Sequence, residues 1–300
     1  MELLNDNLYT ASLIRDLRSV GADVNPEVMA ETLELYRPFH RSGPGRVTRN
    51  ARYGPDQRHV CNIFSPAEPD GQARPIIIFV HGGGFVRGDK EIVPERIYDN
   101  VGWWAVRNDF IGVTMNYRLA PEHKWPAGGD DVGSLIDWLA GNALPCGGKL
   151  DRLIVVGHSA GASHVATCLA RLDRLGPARE KVAAAVLCSG LYDVEALSRV
   201  GRVPTAYFGT DKAEYAEMSS SHRLAALSIP LLVTINQFEP TLFQEQGESV
   251  AIRMHCASAD FPVRYAFLSG HNHFSCVFNV NLPVHDLLGM HMAAFVNSVL

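Results

Sequence analysis

The chain has 300 residues, of which 47% are hydrophobic and 20% are charged, and this balance is typical of a globular protein rather than a disordered or fibrous one. Its formal net charge of −5 provides no basic face for nucleic acid, so we expect no nucleic-acid partner. The first residues lack the basic and apolar regions of a secretory signal, and no apolar run has the length of a membrane span. We therefore expect a cytoplasmic protein that does not associate with membranes.

The chain begins with apolar positions at helical spacing, which are interrupted at Gly21 and Pro26. Two helices are predicted within the first 45 residues. No repeat, low-complexity tract or linker divides the rest of the chain, which favours a single domain. The six cysteines include no C-x-x-C pair, and we interpret them as reduced core residues rather than as disulfides or metal ligands.

Short apolar runs rich in β-branched residues recur after this segment, and helical patterns alternate with them. The alternation predicts an α/β protein with a doubly wound, mostly parallel sheet and helices on both faces. In such sheets the active site lies beyond the carboxyl ends of the strands. The predicted strands are 59–64, 75–80, 110–115, 153–156, 182–187, 230–235 and 263–268. The predicted helices are 94–107, 130–141, 160–175, 241–258 and 285–299.

A G-x-S-x-G pattern, Gly157-His-Ser-Ala-Gly161, stands between a predicted strand and a predicted helix. In that context the pattern indicates a strained turn that lifts the serine hydroxyl clear of the sheet. The two glycines allow the turn to be tight, because larger side chains would collide with the neighbouring backbone. We predict that Ser159 is a nucleophile.

A second motif, His81-Gly-Gly-Gly84, directly follows another buried strand. Its flexible backbone can point N–H groups at the oxygen of a tetrahedral intermediate. An ordinary glycine-rich turn is the alternative, and the nucleophile pattern further along the chain favours the functional interpretation. We predict an oxyanion hole formed by Gly83, Gly84 and the Ala160 N–H, and we expect His81 to orient the loop.

A nucleophilic serine needs a base, which an acid orients, and in this fold the chain order is serine, acid, histidine. His271 and His273 both follow the last predicted strand. We favour His273 as the base, and we expect His271, directly after Gly270, to line the mouth of the site. His255, in a helical segment, is interpreted as structural.

The candidate acid is Glu239, which follows the predicted strand 230–235 and precedes Pro240, a residue that restricts the loop. Asp211 is the nearest rival, although it does not follow a predicted strand. Asp260 is a weaker rival because it precedes its strand and would lie at the opposite end of the sheet. The predicted triad is therefore Ser159, Glu239 and His273.

Three motifs in this order are similar to the hormone-sensitive-lipase-like branch of the α/β-hydrolases, a branch that also contains kynurenine-formamidase-like enzymes. They are His81-Gly-Gly-Gly-Phe85, Asn116-Tyr-Arg-Leu-Ala-Pro-Glu122 and Gly157-His-Ser-Ala-Gly-Ala162. The resemblance runs from about residue 60 to the C-terminus. It implies an α/β-hydrolase catalytic domain at 46–300, with the helices of 1–45 as a cap over the pocket, and it implies the same triad and oxyanion hole.

Two features depart from the lipase-like pattern: glutamate at 239, where that branch usually has aspartate, and His273 directly before Phe274, where a glycine usually intervenes. His271-Asn-His-Phe-Ser275 instead resembles the formamidase-like members. We expect a carboxylesterase that needs no metal or cofactor and acts on a small-molecule ester. We also expect it to form a homodimer. An aryl formamide is the alternative substrate, and ligand binding without catalysis is the remote alternative. The predicted substrate-binding residues are Phe85, His158 and His271.

Overall fold

The computed structural model describes residues 2–39, 43–68, 70–141, 148–171, 180–257 and 263–300. Its strands are β1 (Gly45–Arg52), β2 (Val60–Pro66), β3 (Arg74–Val80), β4 (Ile111–Met115), β5 (Gly148–His158), β6 (Val182–Cys188), β7 (Leu231–Phe238) and β8 (Val263–Asn272). They form one sheet in the order β1-β2-β4-β3-β5-β6-β7-β8. The pairs β1/β2 and β2/β4 are antiparallel, and the other neighbours are parallel. The predicted doubly wound, mostly parallel sheet is confirmed.

Helices cover both faces of this sheet. The longer helices are α1 (Glu2–Val20), α2 (Pro26–Tyr36), α3 (Asp99–Arg107), α4 (Ala127–Gly141), α5 (Ala160–Ala170), α10 (Thr241–Ala257) and α12 (Leu287–Val299). The shorter ones are α6 (Val194–Arg199), α7 (Thr205–Phe208), α8 (Tyr215–Met218), α9 (Ser221–Leu224) and α11 (Ser275–Phe278). No helix in the described ranges has the length and apolarity needed to cross a membrane.

Strand β3 contributes side chains to the hydrophobic cores on both faces of the sheet. Ile76 and Ile78 point to the face covered by α4 and α5, whereas Ile77 and Phe79 point to the face covered by α3 and α12. Successive side chains of a strand lie on opposite faces, so an unbroken apolar run is buried on both. Each fully buried side chain of this size contributes about 1.5–3 kcal/mol to folding. The two packed faces hold the carboxyl ends of β3 and β5 rigidly where the site forms.

The predicted elements lie close to the observed ones, with differences at their ends. The separate edge strand β1 was not predicted, because its Gly45–Arg52 sequence is mostly polar and its side chains alternate between half-buried and exposed. Helix α3 begins at Asp99 rather than 94, since the preceding residues form a turn closed by a bridge between Val93 and Ile97. Cys146, Asp260 and the predicted helix ends at 172–175 and 258 lie outside the described residues.

The N-terminal helices pack against the β8 side of the sheet. Leu13 and Leu17 of α1 join the core that α12 covers. The Thr32 hydroxyl of α2 accepts a hydrogen bond from the Asn272 side-chain amide at 2.8 Å, next to the position of His273. The two predicted helices are confirmed, and their role as a cap over the pocket stays a prediction.

Candidate active site

Ser159 lies in a sharp turn between the end of β5 and the start of α5. Its backbone has φ 55° and ψ −124°, a conformation that is strained for a residue with a side chain. The Ser159 N–H donates to the Cys188 carbonyl oxygen at 2.8 Å, which attaches the turn to the neighbouring strand β6. A Cβ on Gly161 would lie 2.1 Å from the Val80 carbonyl oxygen, and a Cβ on Gly157 would lie 2.5 Å from the Ala162 Cα. Glycine at these two positions therefore makes the turn possible.

The glycine loop after β3 passes directly beside this turn. A Cβ on Gly82 would lie 3.0 Å from the Ser159 Cβ. Gly83 has φ 143° and Gly84 has φ 60°, backbone conformations that glycine adopts most readily. Ala160 is the first residue of α5. The first N–H groups of a helix have no partner within that helix. The loop and the helix start thus bring backbone donors to the side of the serine.

Buried polar side chains support the glycine loop from behind. His81 Nδ1–H donates to the Gly82 carbonyl oxygen at 2.6 Å, and the Tyr117 hydroxyl donates to the His81 carbonyl oxygen at 2.8 Å. Burial lowers the pKa of His81 to about 4, so its ring is neutral near pH 7. These contacts support the expectation that His81 orients the loop.

His273 and Glu239 form a buried pair, with His273 Nδ1 and Glu239 Oε2 3.0 Å apart. An ionised carboxylate can only accept hydrogen bonds, so the neutral imidazole carries its proton on Nδ1. His273 Nε2 is buried and has no hydrogen-bond partner in the described part of the chain. The structure therefore brings together the histidine and the acid that the sequence predicted, and it leaves the second ring nitrogen free to accept a proton.

The Glu239 carboxylate is fixed by further donors. Its Oε1 accepts from the Asn236 N–H at 2.8 Å and from the Ser189 hydroxyl at 3.1 Å, and its Oε2 lies 3.2 Å from Asn236 Nδ2. Charge-assisted hydrogen bonds of this kind are stronger than neutral ones. The sequence indicated no role for either Ser189 or Asn236. Ser189 directly follows the end of β6, where polar residues of a parallel sheet are expected to meet, and that position was the available signal.

Asp211, the rival acid, and His255, the histidine interpreted as structural, both lie at exposed positions. Asp211 is exposed, and its carboxylate accepts from the Ala213 N–H at 2.9 Å, which caps a short 3-10 turn. His255 is exposed near the end of α10. Asp211 is therefore engaged locally, and Glu239 is the acid that pairs with His273.

The prediction that His271 lines the mouth of the site is wrong. Its side chain is fully buried, and its ring stacks on His285 with the ring centroids 4.7 Å apart. His271 Nε2–H donates to the His285 carbonyl oxygen at 3.1 Å, while Nδ1 accepts from the Ser275 hydroxyl at 3.0 Å. Both ring nitrogens are thus occupied by the protein itself, and His271 fixes the segment after β8.

Phe85 and His158 lie beside the site, in different roles. Phe85 stacks on Tyr207 with ring centroids 4.7 Å apart, and Phe208 packs edge-on against it at 5.3 Å. Phe85 thus joins an apolar wall directly after the glycine loop, and its contact with substrate stays a prediction. His158 Nε2–H donates to the His273 carbonyl oxygen at 2.7 Å, so the His158 side chain contacts the candidate base. Binding of substrate by His158 stays a prediction.

The sheet topology, the strained serine turn and the buried histidine–glutamate pair are those of an α/β-hydrolase. Residues 61–226, more than half of the chain, match the family described as BD-FAE. The chain belongs to the BD-FAE family.

Relatives with known names are esterases and similar hydrolases. Esterase LipI of Mycobacterium tuberculosis is 36% identical over 113 residues, which are 38% of this chain and 34% of that protein. Phenmedipham hydrolase of Pseudarthrobacter oxydans is 33% identical over 113 residues, 36% of this chain and 22% of that protein. The matched region thus spans about a third or less of the length of these relatives.

Solved structures share the fold over nearly the whole chain. Esterase B from Lactobacillus rhamnosis has a TM-score of 0.74 at 15% identity, covering 99% of this chain and 96% of that one. An esterase from the bacterial hormone-sensitive lipase family has a TM-score of 0.71 at 19% identity, covering 97% of this chain and 98% of that one. These similarities confirm the α/β-hydrolase fold.

Proposed function

We propose that this protein is a carboxylesterase-type serine hydrolase that cleaves small carboxylic esters through an acyl-enzyme. The observation that carries the proposal is the buried pair of His273 Nδ1 and Glu239 Oε2, 3.0 Å apart, with His273 Nε2 free of any partner in the described residues. This is the hydrogen-bond arrangement that a general base requires, with one ring nitrogen held by the acid and the other available to accept a proton. The strained turn at Ser159 supplies the nucleophile.

In this proposal the Ser159 Oγ attacks the ester carbonyl carbon while its proton passes to His273 Nε2. Glu239 stabilises the imidazolium that forms, and the N–H groups of Gly83, Gly84 and Ala160 hold the oxyanion. His273 then protonates the leaving alkoxide, and the carbonyl bond of the acyl-enzyme re-forms. Water then attacks the acyl-enzyme while its proton passes to His273 Nε2, and as the bond from the acyl carbon to Ser159 Oγ breaks, His273 returns the proton to Oγ and the carboxylic acid is released.

The side chains around the serine favour an apolar acyl or aryl group. Phe85 and Ala160 belong to one buried cluster that includes Leu191, Tyr207 and Phe208. The Phe243 ring lies 4.5 Å, centroid to centroid, from the ring of His273. Apolar walls with a few aligned polar groups are typical of small-molecule sites. The names of the relatives, which include esterases and a carboxylesterase of Mycobacterium tuberculosis, support an ester as substrate.

The same groups could cleave an aryl formamide, with His273 protonating a nitrogen leaving group. The test is the kcat/KM for p-nitrophenyl esters of rising acyl length, measured beside N-formylkynurenine. Wild type is compared with Ser159→Ala and with Ser134→Ala, a matched change at an exposed serine of α4. Ester hydrolysis that Ser159→Ala alone abolishes supports the proposal. Preference for the formamide would replace the ester as substrate, and turnover that survives Ser159→Ala would contradict the mechanism.

The assembly and the compartment of the protein stay predictions. A homodimer and a cytoplasmic location were expected from the sequence. Sedimentation velocity over a range of protein concentrations measures the association state, and a mass near that of one 32.9 kDa chain at every concentration would contradict the homodimer.

A further inference from the structure

The residue before the serine, His158, occupies an unusual place for a polar side chain. It is the last residue of β5, and only 2% of its surface is exposed. Its ring lies against the His273 ring, with the centroids 4.9 Å apart and the planes inclined by 44°. One element therefore carries both the candidate nucleophile and a side chain that contacts the candidate base.

His158 and His273 are joined by a hydrogen bond from the side chain of His158 to the backbone of His273. His158 Nε2 and the His273 carbonyl oxygen are 2.7 Å apart. A carbonyl oxygen only accepts, so the proton of the neutral His158 ring is on Nε2 and Nδ1 carries a lone pair. The Cys276 thiol lies at 3.5 Å from the same carbonyl oxygen, a longer and weaker contact. His158 thus provides the main side-chain restraint on the His273 backbone.

The opposite edge of the ring faces the glycine loop. A Cβ on Gly82 would lie 3.2 Å from His158 Nδ1, and this nitrogen is buried with no hydrogen-bond partner in the described ranges. Burial lowers the pKa of His158 to about 3, so the ring stays neutral when His273 becomes positively charged. An apolar side chain would avoid the unfavourable burial of Nδ1. The imidazole therefore provides something other than packing.

We propose that His158 is a positioning residue whose Nε2–H holds the His273 carbonyl oxygen and thereby keeps the His273 ring aligned between Glu239 and Ser159. This inference rests on the proposed triad. A displacement of about 1 Å of a catalytic group can cost on the order of 10²-fold in rate. Loss of this single donor is therefore expected to lower kcat and leave substrate binding almost unchanged.

The test compares two substitutions of similar shape, His158→Gln and His158→Met. The glutamine amide can place an N–H near the position of Nε2, whereas methionine has no donor. We expect kcat for a p-nitrophenyl ester to fall on the order of 10²-fold in His158→Met, with KM little changed, and to recover most of that loss in His158→Gln. His255→Gln and His255→Met, at an exposed position of α10, are the matched controls.

Equal kcat values for the two His158 variants, with both folded by circular dichroism, would overturn the positioning role. If Ser159→Ala retained wild-type turnover, the triad itself would fail, which is a different result. A second measurement, of the His158 tautomer, uses wild-type protein and does not depend on its activity. In ¹⁵N-histidine-labelled wild type, NMR should show His158 as the Nε2–H tautomer near neutral pH, and an Nδ1–H tautomer would overturn the proposal.

Discussion

His273 donates its Nδ1–H to Glu239 Oε2 at 3.0 Å, in a buried site where the carboxylate also accepts from the Asn236 N–H. The pair fixes the tautomer of the histidine as well as its orientation. A carboxylate at this position is consequently more than a source of negative charge, because it decides which ring nitrogen is available to the serine.

In the proposed mechanism, replacing Glu239 by glutamine should therefore abolish turnover without unfolding the protein. A glutamine amide can donate to His273 Nδ1, which moves the ring proton to Nε2 and removes the base. We expect kcat to fall by about 10⁴-fold, the loss typical of a wrong tautomer. Glu245→Gln, at an exposed position of the adjacent helix α10, is the control. Near-normal turnover of Glu239→Gln, together with inactivity of Asp211→Asn, would reassign the acid.

The close contact of α5 with β3 predicts that Gly161→Ala is strongly destabilising. The added methyl group would lie 2.1 Å from the Val80 carbonyl oxygen, and backbone at both sites would have to move. We expect a loss of about 3 kcal/mol in the free energy of unfolding. Gly141→Ala at the end of α4 meets no atom within 4 Å and should stabilise by up to about 1 kcal/mol. Urea unfolding measures both, and equal stabilities would contradict the packing described.

Arg58 is expected to influence turnover from outside the triad. Its Nη2 donates to the Gly88 carbonyl oxygen at 2.8 Å, and a Cβ on Gly88 would lie 2.4 Å from the Gly82 carbonyl oxygen, so Arg58 supports the glycine loop. Arg58→Met also removes the hydrogen bond from Nε to the Tyr117 carbonyl oxygen at 2.6 Å. If about 1.5 kcal/mol of loop alignment is lost with these bonds, kcat should fall about tenfold. The exposed Arg52, changed to methionine, is the control. Unchanged kcat in Arg58→Met would show that the loop holds its shape without this residue.

Stability should fall steeply in mild acid. Burial lowers the pKa of four histidines from 6.5 to about 3 or 4, so below pH 6.5 the unfolded chain binds protons that the folded chain does not. They are His81, His158, His164 and His271. Asp286 has the opposite effect, since burial raises its pKa from 3.8 to about 7 and the folded chain keeps a proton that the unfolded chain releases.

The histidines outnumber the aspartate, so the free energy of unfolding should fall by roughly 4 kcal/mol for each pH unit between about pH 5.5 and pH 4.5. Urea unfolding at several pH values measures this slope. His255→Gln, a change at an exposed position of α10, is the control. A stability that is constant from about pH 7 to pH 4.5 would contradict the burial of these rings.

The sequence predicted the architecture because the fold depends on local patterns, and the same kind of pattern indicated the candidate site residues. Apolar runs such as that of β3 indicate buried parallel strands, and the spacing of glycines around Ser159 indicates the turn. Strand β1 escaped prediction because an edge strand with polar side chains lacks an apolar pattern. Such elements depend on pairing with a neighbouring strand, which the sequence does not display.

The direction of side chains was the second feature that the sequence could not predict. His271 and His273 are two residues apart after the same strand, and the sequence could not show which ring meets Glu239. In the structure His271 turns to Ser275 and His285, while His273 turns to the acid. The bond from His158 to the His273 carbonyl oxygen joins residues 115 positions apart and had no signal in the sequence.

The proposed activation of Ser159 is tested most directly by covalent labelling with a fluorophosphonate, a reagent that reacts with activated serines. Mass spectrometry of the intact chain and of its peptides locates the adduct. We predict one adduct per chain on the peptide that contains Ser159, no adduct in Ser159→Ala and slow labelling in Glu239→Gln. An adduct on another residue, or the absence of labelling in folded wild-type protein, would contradict the claim that Ser159 is an activated nucleophile.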